Sequence, residues 1–311
     1  MIDFASVFSS VLLFVALLIP GWVLGRNARI SDEAIRGITA IVSDVAMPFL
    51  VFVKLAQTDF FAISVTDIVC GLLFPTILLL GQYALSGVFY PKDDVSGRGA
   101  STFTNCGFLS LPLAAVLFPD APAVVGITSL FNLVHTFLIL TLGVALFSGD
   151  RRHVSVRGIL LKPVTFAIVL GFACSFLQVR DFFPQAVEYA DLLASLCTPL
   201  SMLVLGVELS KFPLSKVFSP RIIAKPVLFK LILAPFFAIL LCFVAKTVLP
   251  ISEELSVAMF LSAGASAASM TVAFARTYDR DAERSAILAL SSTVLCVLTL
   301  PLMSVIFTLF H

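Results

Sequence analysis

Ser101-Thr-Phe-Thr-Asn-Cys-Gly-Phe-Leu-Ser-Leu-Pro112 is the stretch on which the fold turns. It interrupts a segment that otherwise reads as membrane-spanning with hydroxyls, an amide, a glycine and a proline. Irregular backbone at bilayer depth survives only where it is buried in protein or lines water, because each unsatisfied amide in hydrocarbon costs several kcal/mol. Asn105, at the centre of this stretch, therefore marks a cavity or a helix break rather than a lipid-facing surface.

The rest of the chain supplies the membrane context. Its 311 residues are 59% hydrophobic and 13% charged, with a mean hydropathy of +1.08, far outside the range of soluble globular domains. Apolar runs long enough to cross a hydrocarbon core of about 30 Å recur ten times. They lie near Phe4–Leu24, Ile35–Leu55, Ile68–Phe89, Gly99–Phe118, Ala123–Phe147, Ile159–Leu177, Leu192–Leu209, Val227–Leu249, Leu255–Ala275 and Ala286–Phe310. The first run carries Asp3 instead of a basic flank and reads as a retained helix rather than a cleaved leader. Short connections leave no room for a soluble domain. The six cysteines show neither metal-site spacing nor a disulfide framework, and read as packing residues.

Charge orients the spans. Seventeen of the twenty Lys and Arg residues fall in the odd-numbered connections, Lys230 counted among them, and only Lys54, Arg180 and Lys246 fall on the other side. That asymmetry places the basic side in the cytoplasm and both termini outside it. A net charge of +1 gives no reason to expect nucleic acid or a strongly acidic partner.

The basic segment around Asp150–Arg157 splits the chain into residues 1–149 and 159–311, with a linker at 150–158. Five spans on each side force the halves into opposite orientations. Val45-Ala-Met-Pro48 in the second span matches Leu196-Cys-Thr-Pro199 in the seventh, both with a mid-span proline. Ser262-Ala-Gly264-Ala-Ser266-Ala-Ala-Ser269 in the ninth span answers the Asn105 stretch in the fourth. Interruptions at corresponding places in two inverted halves point to a solute site near the midplane of a secondary transporter, where half-helix N-termini face an anion. A run of small residues is also what a close helix-packing face requires.

On these residues the chain resembles the auxin efflux carrier family, which includes plant PIN proteins and bacterial carriers of malonate or malate. Thr104-Asn105 with Leu111-Pro112-Leu113 is similar to the family's Asn-containing crossover and its Gly-Ile-Pro-Leu continuation. Phe274-Ala275-Arg276-Thr277-Tyr278 resembles its Phe-Ala-Lys-Glu-Tyr ending, and Pro48 and Gly206 also fit. The resemblance implies an all-α integral membrane protein of the bile-acid sodium symporter-like, NhaA-like fold. Ten helices form two inverted five-helix repeats, with helices 4 and 9 broken and crossing. Helices 1, 2, 6 and 7 form a scaffold against which a transport domain moves in an elevator cycle, and the scaffold helices join a homodimer. Two features depart from the plant members: Ser266 stands where they carry proline, and their long central loop is reduced to about ten residues. The expected location is the inner (plasma) membrane of a bacterium.

The expected substrate site draws Thr104, Asn105, Gly107 and Pro112 from the fourth span and Asn132 and His135 from the fifth. The ninth contributes Gly264, Ser266 and Ser269, and the tenth Ser292. Asn105 offers two donors and an acceptor without a fixed charge, suited to a small carboxylate that must be released. Asp44, about 12 Å into the second span beyond Arg36, and His135 are candidates for carrying a coupling proton. Sodium coupling of the bile-acid type ranks below proton coupling, and uncoupled uniport stays open. Lys54 and Glu208 read as snorkelling to water, and Arg276–Arg284 as a solvated connection. Neither a cofactor nor a resident metal is expected. The Gly264-Ala265-Ser266-Ala267 pattern of an intramembrane serine protease needs a histidine base, for which only His135 offers itself inside the bilayer.

Overall fold

A computed structural model describes residues 4–61, 63–150, 161 and 163–310. The described residues are helical throughout, apart from turns and one isolated antiparallel bridge between Thr104 and Ala267. We number the main helices α1 (Phe4–Arg26), α2 (Asp32–Gln57), α3 (Val65–Phe89), α4 (Val95–Thr102), α5 (Cys106–Leu117), α6 (Ala123–Ser148) and α7 (Pro163–Phe176). They continue as α8 (Pro184–Ser210), α9 (Pro220–Lys246), α10 (Glu253–Gly264), α11 (Met270–Thr277) and α12 (Ala282–Phe310). Among the described residues seven helices are long and apolar enough to cross a bilayer: α1, α2, α3, α6, α8, α9 and α12. Large apolar side chains such as Leu13, Val88 and Val169 face outward, as a lipid-facing surface requires. The protein is an all-α, multi-pass membrane protein.

Helix starts are set by local chemistry. Ser31, Ser64, Asp94 and Ser252 accept hydrogen bonds from backbone N–H groups in the first turns of α2, α3, α4 and α10, the usual means of satisfying orphan donors. Pro184 and Pro220 occupy first-turn positions and begin α8 and α9, where proline costs nothing. Both helices therefore start earlier than the expected Leu192 and Val227. Arg151, Arg152, Arg157 and Lys162 of the basic-side set lie outside the described residues, as does the linker 150–158 after Asp150 and the start of the sixth span at Ile159.

Proline also leaves a signature inside the helices. The π-helical turns Val42–Ala46, Cys106–Ser110 and Leu228–Leu233 each end two residues before a proline: Pro48, Pro112 and Pro235. Proline lacks an N–H and its ring crowds the carbonyl four residues back, and widening the preceding turn relieves that crowding.

The helices pack in two groups. In the first, α1 lies against α8, and α2 against α7 and α8. Glycines let these backbones touch: a Cβ on Gly206 would come within 2.1 Å of the Leu18 carbonyl oxygen, and one on Gly21 within 2.1 Å of that of Leu203. In the second, α6 packs on α3 and α10, α9 on α10, and α12 on α4 and α11. Contact of α1 with α12 and α5 joins the groups.

The two interrupted helical paths run antiparallel. At the start of α4, Asp94 pairs with Arg284 at 2.7 Å and Ser96 donates to the Asp281 carbonyl at 2.9 Å. The start of α4 thus lies beside the loop that follows α11. At the opposite end Asp67, buried near the start of α3, accepts from the Ser252 N–H at 2.9 Å just before α10.

Candidate functional site

The interruptions at 103–105 and 265–268 meet in the interior. Phe103 (ψ 140°) and Ala265 (ψ 158°) leave the helical region, so their neighbours lose intrahelical partners. Those groups find replacements across the crossing. The Asn105 N–H donates to the Ser266 carbonyl at 2.8 Å and the Ala268 N–H to the Phe103 carbonyl at 3.1 Å. The Thr104 N–H donates to His135 Nε2 at 3.2 Å, and the Ala267 N–H to Ser292 Oγ at 3.0 Å. Thr104 Oγ1 donates to the Ser262 carbonyl at 2.9 Å, and Cys296 Sγ to that of Gly264 at 3.5 Å. A buried break must account for its backbone donors and acceptors in this way.

Most of the expected site residues converge here. Asn132 and His135, one turn apart on α6, are both buried. Asn132 Oδ1 accepts from Cys106 Sγ at 3.1 Å and lies 3.3 Å from where a Cβ on Gly107 would stand. Asn105 is 4% exposed, and its side chain does not cap the turn that follows. Its backbone is committed to Ser266, while its carboxamide makes no hydrogen bond to the described residues. Ser266 Oγ and Ser262 Oγ are likewise buried without partners. Pro112 sits at the start of the α-helical part of α5.

His135 Nε2 accepts a hydrogen bond from a backbone N–H, so the ring is neutral in this state and serves to hold the break. The serine–histidine dyad of a protease is not formed, since that nitrogen is engaged by Thr104 and not by Ser266. Asp44 does not occupy the buried position expected of it. It is exposed, on the face of its π turn opposite the buried Val42 and Ala46, because depth along a helix does not fix the face a residue presents.

A cavity of about 620 Å³ opens between the two packing groups. Its inner wall includes Met47, Phe108, Ser201, Ser269 and Met270, and its mouth Asp32, Arg36, Glu208, Lys211 and Arg276. Among the expected site residues Ser269, at the N-terminus of α11, lines it directly. Met47 separates it from the crossing: its Cε lies 3.0 Å from the Cβ position of Gly107.

At the mouth, Glu208 is not a snorkelling residue but the centre of a charge cluster, 9% exposed. It pairs with Lys211 at 3.0 Å and Arg276 at 3.1 Å, while Lys211 also reaches Asp32 at 2.7 Å. Partial burial opposes the charge on Lys211, but the hydrogen bonds to Asp32 and Glu208 outweigh it and hold the ammonium above its usual pKa. Glu208–Arg276 spans the two packing groups, and nearby Lys216, in the connection after α8, pairs with Glu283 of α12. Glu208→Gln should cost about 1 kcal/mol, because water screens both pairs from the side of the more exposed partners Lys211 and Arg276. A thermal unfolding curve of the purified variant checks this, with a fall of a few degrees expected.

Sequence reasoning missed one buried residue. Lys230, assigned above to a connection, is 1% exposed inside the π turn of α9. Its position inside the apolar run that begins at Val227 was the available signal, since an ionisable residue within a span is functional by default. Cys106 and Cys296, read as packing residues, in fact hydrogen-bond at the two breaks.

A family model described as a membrane transport protein matches residues 6–304, nearly the whole chain. The chain belongs to this family. Its auxin efflux carrier-like character agrees with the Asn105 and Phe274–Tyr278 motifs. No curated protein matches the chain. In this membrane transport protein, then, paired breaks meet beside a cavity walled by both packing groups.

Proposed function

We propose that this transporter is a secondary carrier of a small organic anion, a mono- or dicarboxylate of the malonate, malate or auxin type, working by elevator-type alternating access. Ten spans form two inverted five-helix repeats: α4–α5 and α10–α11 are the broken fourth and ninth spans, and α7 is the sixth. The group α1, α2, α7 and α8 is the scaffold, and the remaining helices carry the crossing across the membrane.

The observation that carries this reading is the reciprocal bridge between the two breaks, which holds the Asn105 carboxamide buried and unused. An unpaired amide at a helix N-terminus offers donors to a carboxylate, and the partial positive charge of that terminus favours an anion. The cavity supports the reading as the access route from the basic-rich side. It ends at Ser269 and at Met47 over Gly107, and its walls belong to both groups, so sliding one group past the other closes it.

Reconstituted protein should accumulate at least one labelled carboxylate from a panel of malonate, malate and indole-3-acetate. Sodium and proton gradients imposed separately identify the driving ion. Failure to move any carboxylate under either gradient overturns the assignment, and currents far above carrier turnover would make the protein a channel instead.

A further inference from the structure

Lys230 is a buried amine without a hydrogen-bonding partner among the described residues. Its Nζ makes no hydrogen bond to the described residues, whereas the buried carboxylates Asp67 and Glu208 are both engaged. An isolated ammonium in a dry interior is costly, and a methionine would fill the same space without that cost.

Its surroundings locate it at the crossing. Cys106 from α5, Cys296 from α12 and His135 from α6 are close enough to interact electrostatically with it. Cys106 directly follows Asn105, and Cys296 donates to Gly264, so the groups whose charge interacts with Lys230 flank both breaks. The π turn of α9 also packs on α4, α10 and α12, and the acidic residue of α12, Glu283 in the first turn, pairs with Lys216. The α4 cation, Arg98, is turned toward the Tyr83 ring, and the acidic residues of α10, Glu253 and Glu254, occupy its distant first turn. No carboxylate therefore faces Lys230 among the described residues. The cavity is lined by no residue of α9, so Lys230 approaches the crossing from the side away from it.

We propose that Lys230 Nζ is the proton-binding site of this carrier. The amine takes a proton from water as a carboxylate fills the crossing, becoming the balancing cation, and the ammonium returns it to water as the carboxylate leaves. The inference rests on the carboxylate-carrier reading. It moves the coupling role away from Asp44, which faces outward, and from His135, whose acceptor nitrogen is in use. By linkage, an anion that tightens proton binding is itself bound more tightly as pH falls.

The test is calorimetric binding of malonate and indole-3-acetate to the purified full chain between about pH 7 and 9, where the carboxylates stay ionised. Wild-type affinity should weaken as pH rises, by up to about tenfold per pH unit, the limit for one linked proton. Lys230→Met should bind at least tenfold more weakly and lose the slope. Lys230→Arg, permanently charged, should bind without a slope and stands in if the methionine variant does not fold. His135→Gln should weaken binding yet keep the slope. A Lys230→Met protein with wild-type affinity and slope, a flat wild-type profile, or a slope lost only in His135→Gln overturns the proton site and leaves the carrier reading standing. Wild-type protein that binds neither probe overturns the carrier reading, and the proton site with it.

Discussion

Asn105→Ala is expected to reduce carboxylate uptake at least tenfold while leaving a folded protein with nearly wild-type thermal stability. The two effects separate because Asn105 contributes to the crossing in two different ways. Its backbone N–H makes the 2.8 Å bond to Ser266, and alanine retains that bond. Its carboxamide makes no hydrogen bond to the described residues, so removing it breaks none of the bonds seen to hold the fold. A hydrogen bond to an ionised carboxylate is worth roughly 1.5–3 kcal/mol, or about ten- to a hundredfold in affinity. Asn105→Asp should be at least as damaging, because it sets a negative charge against the substrate in a buried site. The measurement is initial uptake in proteoliposomes at matched protein content, with unfolding curves run in parallel. If both uptake and stability collapse, the side chain has a structural role that the hydrogen bonds do not show.

Gly206→Val should have the opposite signature and abolish the folded protein. A Cβ at this position would stand 2.1 Å from the Leu18 carbonyl oxygen and 2.9 Å from the Trp22 nitrogen. Both obstacles are backbone, so no rotamer change relieves them. Gly21 makes the reciprocal approach to Leu203, so α1 and α8 must separate along their whole crossing. Overpacking costs typically 1–3 kcal/mol when side chains can adjust; here about 3 kcal/mol or more is expected. Close backbone approach is a main source of helix association in lipid, which leaves the α1–α8 pair little to compensate with. Fluorescence-detected size exclusion of the detergent-extracted variant should show aggregate in place of a symmetric peak. A monodisperse, carboxylate-binding Gly206→Val protein would mean that the α1–α8 contact is looser than the structure has it.

The contrast between these two positions shows what the sequence makes legible. The breaks could be located because they violate a strong rule: Asn105, Pro112 and the Gly264–Ser269 run are residues that a lipid-facing helix avoids. Asn132 and His135 follow from helical periodicity, and the structure sets both against the break at 103–105. Periodicity has no term for the partner helix, however, and the errors fall there. Asp44 has the depth of a buried carboxylate but sits on the outward face of a widened turn. Lys230, three residues inside its run, was absorbed into the basic connection because Arg221 and Lys225 precede it, although α9 had already begun at Pro220. Glu208 was read by its place near a helix end, whereas Arg276, distant in sequence, gives it a partner. Met47, Phe108 and Ser201 line the cavity through tertiary packing alone, and nothing in their own segments distinguishes them from core residues.

Glu208–Arg276 and Lys216–Glu283 bear on the motion that an elevator requires. The first pair bridges the groups and the second ties the α8–α9 connection to α12, both on the basic-rich side, where the cavity opens. Pairs with an exposed or half-exposed partner are individually worth at most about 1 kcal/mol, weak enough to break in the proposed cycle. The apolar cavity wall adds no polar bond that would resist sliding at Met47 or Phe108.

The central claim is that a substrate carboxylate binds in the crossing of the two broken helices, and its most direct test is an experimental structure of the protein with a bound carboxylate from the panel. The account predicts density for the carboxylate within hydrogen-bonding distance of the Asn105 amide, about 2.7–3.2 Å, with the reciprocal bonds between Asn105 and Ser266 and between Phe103 and Ala268 intact. A carboxylate held instead at Arg36, Lys211 or Arg276 in the cavity mouth, with the Asn105 amide still unpaired, would contradict it.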